Sequence, residues 1–307
     1  MKIGFIGLGT MGRHMARHLQ EAGYELVVND VRKDAADEHL GRGATFAATP
    51  AEIMAECDVV FTSLPMPRDV EEVALGPAGL IEAATPGKVF VDLSTNAPGV
   101  VKRLHAIFAE KGVEVIDSPI SGGEAGAESG KLVFMVGGNE ATFESIRPYL
   151  AAMGDQQVYV GEIGAGTIAK LVHNLAGQSM AMAFAEAFSI GVAAGVEPLI
   201  LWKAIRQGAG GRSRRPFDAV RFLTGDVDKA GFRVALAHKD ISLATQLARE
   251  LHVPVHISQL ANDDLGEAML KGWGNKDMTA LTELQKERAN VTIRVPLFEI
   301  EAEIAKG

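Results

Sequence analysis

The pattern of hydrophobic and polar positions along the chain changes once, near residue 196. Before that point, stretches of helical periodicity alternate with short apolar runs, namely KIGFIG, YELVVND, DVVFTSLP, KVFVDLST and VEVIDSP. This alternation predicts a parallel sheet with helices on both of its faces. Beyond residue 196 only helical periodicity remains. We therefore predict an α/β fold in which an N-terminal doubly wound domain precedes a C-terminal all-helical domain.

The stretch from Gly164 to Gly195 is predicted to be one long helix that joins the two domains. No proline interrupts it before Pro198, and a helix of this length spans about 45 Å, more than one domain needs. It is apolar on nearly every side, which predicts burial all round. Because one small helical domain gives too little cover, we expect a homo-oligomer, either a dimer or a tetramer. The predicted boundaries are 1–162, 163–195 and 196–307.

A glycine-rich turn with the spacing G-x-G-x-x-G follows the first apolar run. Gly7 permits a tight turn, Gly9 lets the backbone approach a pyrophosphate, and Gly12 lets the next helix pack closely on the strand. The start of that helix offers unpaired N–H groups to an anion, with Thr10 and Met11 in the turn itself. This order of strand, turn and helix predicts a Rossmann domain that binds a dinucleotide.

The second apolar run ends in Asp30, at the distance expected for a carboxylate that binds a ribose diol. An aspartate there binds the adenosine ribose hydroxyls of NAD and repels the 2′-phosphate of NADP, so NAD is the predicted cofactor. Arg32, two residues further on, softens that exclusion and leaves NADP open as a second cofactor. The alternative interpretation of Asp30 is a solvated turn residue.

Ligands of doubly wound sheets lie beyond the carboxyl ends of the strands. Leu64, Pro65 and Thr95 lie at the carboxyl ends of two of the apolar runs, so we expect them around the cofactor.

A loop of small residues, ISGGEAGAESG, follows VEVIDSP. Within it Ser121, Gly122 and Gly123 present backbone N–H groups and a hydroxyl without obstruction, which suits a bound carboxylate. An ordinary flexible loop is the alternative, and the residues alone leave it open.

Three polar residues stand on the apolar long helix, namely Lys170, His173 and Asn174. Spacings of three and four residues place them on one face. A lysine is almost never fully buried without a partner or a task, so Lys170 is a candidate for proton transfer. In the alternative, its stem lies along the helix and its ammonium group reaches water.

Composition and charge exclude several classes of function. Thirty Lys and Arg residues stand against 39 Asp and Glu, a net charge of −9 with no basic stripe, so nucleic acid is not an expected partner. The one cysteine, Cys57, allows no disulfide framework or thiolate metal site, and no metal is predicted. No signal peptide precedes the first strand and no membrane-spanning run occurs, so we expect a cytoplasmic protein without membrane contact.

The second domain carries two groups of charged residues that helical periodicity does not explain. Arg212, Arg214 and Arg215 form either a solvated loop or a site for a second anionic group on the substrate. Lys239 and Asp240 lie at the head of a predicted helix, where first-turn charges also serve the helix dipole. The predicted helices cover residues 197–208, 232–251, 254–271 and 278–290.

Five motifs in this order resemble those of the β-hydroxyacid dehydrogenases, the family that contains 3-hydroxyisobutyrate dehydrogenase and tartronate semialdehyde reductase. They are IGFIGLGTMG, DLSTNAP, DSPISGG, GAGTIAKLVHN and HKDISLA, and the similarity covers essentially the whole chain. The resemblance implies a C-terminal domain like that of 6-phosphogluconate dehydrogenase. We do not expect the longer C-terminal part of the decarboxylating 6-phosphogluconate enzymes themselves.

The resemblance also implies roles for individual residues. Lys170 is the implied catalytic residue, Asn174 orients the substrate, and Ser121, Gly122 and Gly123 hold its carboxylate. Thr95 and Lys239 are implied to lie near the nicotinamide, with Asp240 supporting that corner and the substrate. The chain departs from the family at His173, which we place with the substrate-binding residues although relatives commonly have a second asparagine there, and at its arginine cluster.

The predicted function is hydride transfer between a nicotinamide cofactor and a small β-hydroxy acid, such as 3-hydroxyisobutyrate, or the matching semialdehyde. Burial and the nearby cationic nicotinamide should lower the pKa of Lys170 until it can act as a base. The alternatives are an NADPH-dependent semialdehyde or glyoxylate reductase and a non-catalytic sensor module, which would lack Lys170. An imine reductase usually replaces the lysine. The acid itself stays open among 3-hydroxyisobutyrate, glycerate, 4-hydroxybutyrate, serine and a larger dianion.

Overall fold

The computed structural model divides the chain into two compact units, Met1–Leu175 and Ala176–Gly307. It describes almost all of the first unit and separate parts of the second. The described residues are 2–196, 204–205, 208, 224–230, 233–235, 237–238, 241, 245, 249, 252–288, 290 and 294–304.

One sheet forms the centre of the first unit, with the strand order 3-2-1-4-5-6-8-7 and a further strand, β9, beside β8. The first six strands all run parallel, and the strand order reverses at β1. The predicted doubly wound sheet is confirmed, and it contains one parallel strand, β3, that was not among the five predicted apolar runs. The strands are β1 (Ile3–Ile6), β2 (Leu26–Asn29), β3 (Thr45–Phe46), β4 (Val59–Thr62), β5 (Val89–Asp92), β6 (Glu114–Asp117), β7 (Ile120–Ser121), β8 (Val133–Gly137) and β9 (Gln156–Gly161).

The edge beyond β6 is not parallel throughout, which the hydrophobic pattern did not predict. Strand β8 runs antiparallel to β6 and β7 and parallel to β9. A parallel connection needs a long crossover, usually through a helix on one face of the sheet. Between Ser121 and Val133 the chain has only a six-residue helix, so it turns back along the same edge.

Helices cover both faces of the sheet and bury two separate cores. Residues next to each other on a strand point to opposite faces, so Phe61 packs into one core and Val60 into the other. The thiol of Cys57 lies in the second core, where burial raises its pKa to about 12. The helices are α1 (Gly12–Glu21), α2 (Asp37–Gly41), α3 (Pro50–Glu56), α4 (Pro67–Leu75), α5 (Pro98–Ala109), α6 (Gly123–Glu128) and α7 (Glu140–Met153), with 3₁₀ turns at Lys33–Ala36 and Leu80–Ala83.

The predicted long helix is present as α8, Ala165–Ala193, and the boundary between the two units falls inside it. The predicted burial on every face is not seen, because none of the described elements covers several of the apolar side chains of α8. Their exposed fractions are 40–60% for Ile168, Leu171, Val172, Met180 and Val192. None of the described helices combines the length and hydrophobicity that crossing a membrane requires.

The described part of the second unit is helical. Its elements are a 3₁₀ turn at Met278–Ala280 and the helices α9 (His256–Leu270), α10 (Leu281–Arg288) and α11 (Leu297–Ile304). Val234, Leu265 and Leu284 belong to its buried core. Helices α9 and α10 fall within the predicted 254–271 and 278–290, whereas α11 was not predicted. Most of the predicted segments 197–208 and 232–251 lies outside the described residues.

Candidate functional site

The glycine turn after β1 has two crowded positions and one open position. Gly7 has a φ of +94°, and a Cβ atom there would lie 2.3 Å from the Ser63 carbonyl oxygen. A Cβ atom on Gly12 would lie 1.8 Å from the Gly7 oxygen, whereas one on Gly9 would meet no atom of the chain within 4 Å. Gly7 and Gly12 are therefore required for the turn to pack, and Gly9 leaves room for a bound group.

The start of α1, which follows this turn, is free to bind an anion. No side chain caps the helix, and no acidic residue stands in its first turn. The first N–H groups of a helix have no partner within it, and the helix dipole favours negative charge there. Thr10 is exposed and Met11 is half-buried in the turn. This arrangement fits the pyrophosphate of a dinucleotide.

Asp30 lies at the carboxyl end of β2, against the glycine turn. Its Oδ2 accepts a hydrogen bond of 2.7 Å from the Leu8 backbone N–H, and its Oδ1 accepts one of 2.9 Å from the Arg32 N–H. Because a carboxylate oxygen can accept two hydrogen bonds, both oxygens can still accept from a ribose diol. The position and chemistry of Asp30 therefore fit the adenosine side of the cofactor.

Asp92 organises the turn after β5 from inside the protein. It is 2% exposed, and burial raises the pKa of its carboxyl group. Its Oδ1 accepts hydrogen bonds from Thr62 Oγ1 at 2.9 Å and from the Ser94 N–H at 3.0 Å, and its Oδ2 accepts one from Asn96 Nδ2 at 2.8 Å. These bonds join the ends of two neighbouring strands.

The turn after β5 is joined to the end of β4 by a hydrogen bond, and its Thr95 side chain is exposed. The Leu64 N–H donates a hydrogen bond of 2.9 Å to Ser94 Oγ. Thr95 and Pro65 are exposed and Leu64 is half-buried. The predicted cofactor residues Leu64, Pro65 and Thr95 thus lie at two adjacent strand ends beside β1.

Asp117, at the end of β6, caps the long helix from a different part of the chain. Its Oδ1 accepts a hydrogen bond of 2.7 Å from the Gly164 N–H, and its Oδ2 accepts one of 2.6 Å from the Thr167 N–H. The side chain is 1% exposed, and burial raises the pKa of the carboxyl group. Lys170 follows Thr167 by about one helical turn, so the cap fixes the start of the helix that carries it.

Two glycines let α8 approach the sheet closely. A Cβ atom on Gly166 would lie 2.2 Å from the Met135 carbonyl oxygen, and one on Gly137 would lie 2.7 Å from the Gly166 nitrogen. Any side chain at either position would push the helix away from β8. The sequence marks Gly166 only as part of a helix start, but the structure gives it a packing role.

Lys170 is buried without a partner. Its exposed fraction is 8%, and no described residue offers its Nζ a hydrogen bond or an ion pair. Burial lowers the pKa of Lys170 from its ordinary value, because a charged amine in this environment loses hydration.

A contact between side chains joins the small-residue loop to the same helix. Ser121 Oγ lies 3.1 Å from His173 Nε2. Gly122 and Gly123, which follow Ser121, have φ values of +137° and +62°, a region that L side chains rarely adopt. The structure therefore brings the predicted carboxylate loop to the helix that carries Lys170, His173 and the half-buried Asn174.

Comparisons with known proteins identify the family to which the chain belongs. Residues 2–161 match the family model described as "NAD binding domain of 6-phosphogluconate dehydrogenase", and residues 164–285 match "NAD-binding of NADP-dependent 3-hydroxyisobutyrate dehydrogenase". The chain is 35% identical over 294 residues to 2-(hydroxymethyl)glutarate dehydrogenase from Eubacterium barkeri, covering 95% of this chain and 97% of that one. The chain belongs to the β-hydroxyacid dehydrogenase family.

Two further members of the β-hydroxyacid dehydrogenase family support the assignment. The human mitochondrial 3-hydroxyisobutyrate dehydrogenase is 32% identical, with 93% of this chain and 87% of that chain aligned. A solved structure of the Mycobacterium tuberculosis 3-hydroxyisobutyrate dehydrogenase with L-serine superimposes with a TM-score of 0.62 at 29% identity, covering 93% of this chain and 99% of that one. The protein is thus a hydride-transfer oxidoreductase that acts on small hydroxy acids with a nicotinamide cofactor.

Several residues that the sequence analysis singled out lie outside the part of the chain that the structure describes. Lys239 and Asp240 lie outside the described residues, and so do Arg212, Arg214 and Arg215. Conversely, sequence reasoning missed Asp92 and Asp117 as organising residues. Each is a carboxylate at the end of an otherwise apolar strand, and a buried charge needs hydrogen-bond partners. That signal could have identified both.

Proposed function

We propose that the protein interconverts a small β-hydroxy acid of the 3-hydroxyisobutyrate type and its semialdehyde, with NAD as cofactor and Lys170 as the catalytic residue. The observation that carries this proposal is the environment of Lys170, which is buried, has no hydrogen-bond or ion-pair partner among the described residues, and has a pKa lowered by burial. Oxidation of the hydroxyl group requires a base for the O–H proton while a hydride leaves the carbon. The bound nicotinamide supplies the hydride acceptor.

Neutral Lys170 would accept the hydroxyl proton in the oxidation. In the reverse direction its ammonium form would donate a hydrogen bond to the aldehyde oxygen and then transfer the proton. A base is most effective when its pKa lies near the working pH, so the lowering of the Lys170 pKa by burial favours both directions.

The substrate carboxylate would bind to Ser121, Gly122 and Gly123. The contact of 3.1 Å between Ser121 Oγ and His173 Nε2 supports this assignment, because it ties the loop to the helix that carries Lys170. Asn174 would orient the substrate one helical turn from Lys170. Thr95, Lys239 and Asp240 would complete the site on the nicotinamide side.

The preference for NAD rests on Asp30. Its carboxylate is held by two backbone N–H groups at the end of β2, where it would repel the 2′-phosphate of NADP. The family model that matches residues 164–285 names an NADP-dependent enzyme. An NADPH-dependent semialdehyde or glyoxylate reductase is therefore the second candidate, and the cofactor measurement separates the two.

We also propose that the protein is a homo-oligomer. The 40–60% exposure of Ile168, Leu171 and Val172 on α8 supports this proposal, because a second copy of the chain would remove that apolar surface from water. Light scattering at micromolar concentration would test it, and a mass equal to one chain would refute it.

One experiment tests the proposed activity. The purified protein is assayed with 3-hydroxyisobutyrate, glycerate, 4-hydroxybutyrate, serine and 2-(hydroxymethyl)glutarate, each with NAD and with NADP. We expect turnover of at least one β-hydroxy acid, and a loss of kcat by a factor of about 10² or more in Lys170→Met. The matched control is Lys111→Met, at an exposed lysine that precedes the amino end of β6. Turnover retained in Lys170→Met would refute the role of Lys170, and an inactive parent would refute the substrate class.

A further inference from the structure

The distance between Ser121 and His173 does not show which of the two side chains donates the hydrogen bond. A serine hydroxyl has one proton to donate and two lone pairs, whereas a substrate carboxylate can only accept. Ser121 Oγ and His173 Nε2 lie 3.1 Å apart. Either the serine donates its proton to an unprotonated Nε2, or a protonated Nε2 donates to the serine oxygen.

Only the second direction suits a bound carboxylate. If Ser121 donates to His173, the serine presents oxygen lone pairs to the substrate, and two acceptors then face each other. If the Nε2–H of His173 donates to Ser121, the serine proton is free for the carboxylate. A ligand shifts an equilibrium toward the form it binds better. Substrate binding therefore favours the form of His173 that carries a proton on Nε2.

The backbone restricts where Ser121 can place its hydroxyl group. Ser121, in β7, pairs with Val133 of β8, and Gly122 follows Ser121 with a φ of +137°. On the opposite side, His173 lies on α8 three residues after Lys170, a spacing that puts both on one face of the helix. The proton-transfer residue and the group that faces Ser121 thus share one rigid element.

We propose that His173 is a positioning residue that donates from Nε2 to Ser121 and so directs the serine proton to the substrate carboxylate. This inference rests on the proposed function, because it takes Ser121 as part of the carboxylate site. His173 would fill this role at a position where relatives commonly have an asparagine. We also expect His173 to act on substrate affinity through Ser121 and not to take part in the proton transfer by Lys170.

Two variants of His173 distinguish the effect of hydrogen-bond donation from the effect of side-chain volume. His173→Gln ends in an amide nitrogen of similar reach that always carries protons, whereas His173→Leu fills space and cannot donate. Each is made in the parent and in Ser121→Ala. The measurements are KM and kcat for the best hydroxy acid of the panel, and the inhibition constant of isobutyrate. Isobutyrate keeps the carboxylate and lacks the reacting hydroxyl, so it reports binding without chemistry.

We expect His173→Leu to raise both KM and the isobutyrate inhibition constant by about tenfold, the effect of losing a hydrogen bond to a charged group. His173→Gln should restore both constants to within about threefold of the parent. In the Ser121→Ala background, His173→Leu should have no further effect, because the residue through which it acts is absent.

Three results would overturn the inference. The first is an equal rise in the isobutyrate inhibition constant in His173→Gln and His173→Leu. The second is a rise for His173→Leu that is as large in the Ser121→Ala background as in the parent. The third is a fall in kcat with an unchanged isobutyrate inhibition constant. Failure of the proposed function looks different. In that case the parent turns over no hydroxy acid of the panel, or Lys170→Met remains active while the His173 variants still differ in isobutyrate inhibition.

Discussion

The Asp117 carboxylate accepts a hydrogen bond of 2.6 Å from the Thr167 N–H, fifty residues further along the chain. A second bond from the Gly164 N–H makes Asp117 a cap supplied by the sheet to α8. Together with the close approach of Gly166 to Met135, this cap sets the depth at which the helix begins. The position of Lys170 relative to the strand ends therefore depends on β6.

The first prediction concerns this cap. Asp117→Asn keeps the size of the side chain but turns one acceptor into an N–H₂ group, which then faces a backbone N–H. We expect a loss of about 1–3 kcal/mol in the free energy of unfolding, the cost of one buried group left without a partner. We also expect a lower kcat, because Lys170 shifts with the helix. Urea unfolding and steady-state kinetics check both expectations. Asp155→Asn, at an exposed aspartate, is the matched control and should change neither.

The second prediction separates two glycines of one turn. Gly12→Ala places a Cβ atom where the Gly7 oxygen lies, so the turn must open and the melting temperature should fall clearly. Gly9→Ala meets nothing within 4 Å, so the melting temperature should stay unchanged while the dissociation constant for NAD rises about tenfold or more. Thermal unfolding and NAD titration of both variants check this contrast. A stable Gly12→Ala variant, or unchanged NAD binding in Gly9→Ala, would contradict our account of the turn.

The third prediction concerns the stability cost of the buried lysine. Because burial lowers the pKa of Lys170 below 10.5 in the folded state, the folded state binds that proton less tightly than the unfolded state. The parent therefore gains stability as the pH rises through the lowered pKa toward 10.5. Lys170→Met lacks this cost and should be the more stable protein at about pH 7, by about 1.4 kcal/mol for each unit of lowering.

The advantage of Lys170→Met should shrink as the pH rises toward 10.5, because the unfolded-state lysine then loses its proton, and it should vanish well above 10.5, where the parent lysine is neutral in both states. Urea midpoints of both proteins at about pH 7 and about pH 10 measure it. Lys111→Met, at an exposed lysine, should shift the midpoint little at either pH. A Lys170→Met variant that is less stable than the parent at both values would mean that the ammonium group has a stabilising partner.

The fourth prediction concerns the cofactor. If Asp30 repels a 2′-phosphate, kcat/KM should favour NAD over NADP by at least about tenfold, equivalent to about 1.4 kcal/mol. Asp30→Asn removes the charge and keeps the shape, so it should reduce that ratio mainly by improving the use of NADP. Initial rates with both cofactors decide the matter. Equal use of NAD and NADP by the parent would remove this role from Asp30.

Local signals predicted much of the fold and the general location of the site. The glycine turn, Asp30 and the apolar runs could be interpreted from short segments, because strand, turn and helix follow one another within a few residues. The long helix could also be predicted, because its composition is continuous from Gly164 to Gly195. The parallel order of β1, β2, β4, β5 and β6 followed from the alternation of runs and helices, whereas the two-residue strand β3 was not predicted.

Contacts between distant segments could not be predicted in the same way. Asp117 and Thr167 are fifty residues apart, and Ser121 and His173 are 52 residues apart. Neither pair leaves a periodic pattern. The antiparallel direction of β8 was missed for a related reason, because an apolar run does not indicate the direction in which its strand runs. Only the shortness of the connection after Ser121 indicates that the chain turns back.

The division of α8 between Leu175 and Ala176 has a consequence for how such a chain can diverge. The glycine turn, Ser121, Lys170 and His173 all precede this junction and belong to one compact unit. Recombination that replaced residues 176–307 would leave the glycine turn, Ser121, Lys170 and His173 in place, provided the helix continued in phase. One inserted or deleted residue at the junction would rotate everything after it by about 100° around the helix axis. Selection at this junction should therefore act more strongly on the number of residues than on their identity.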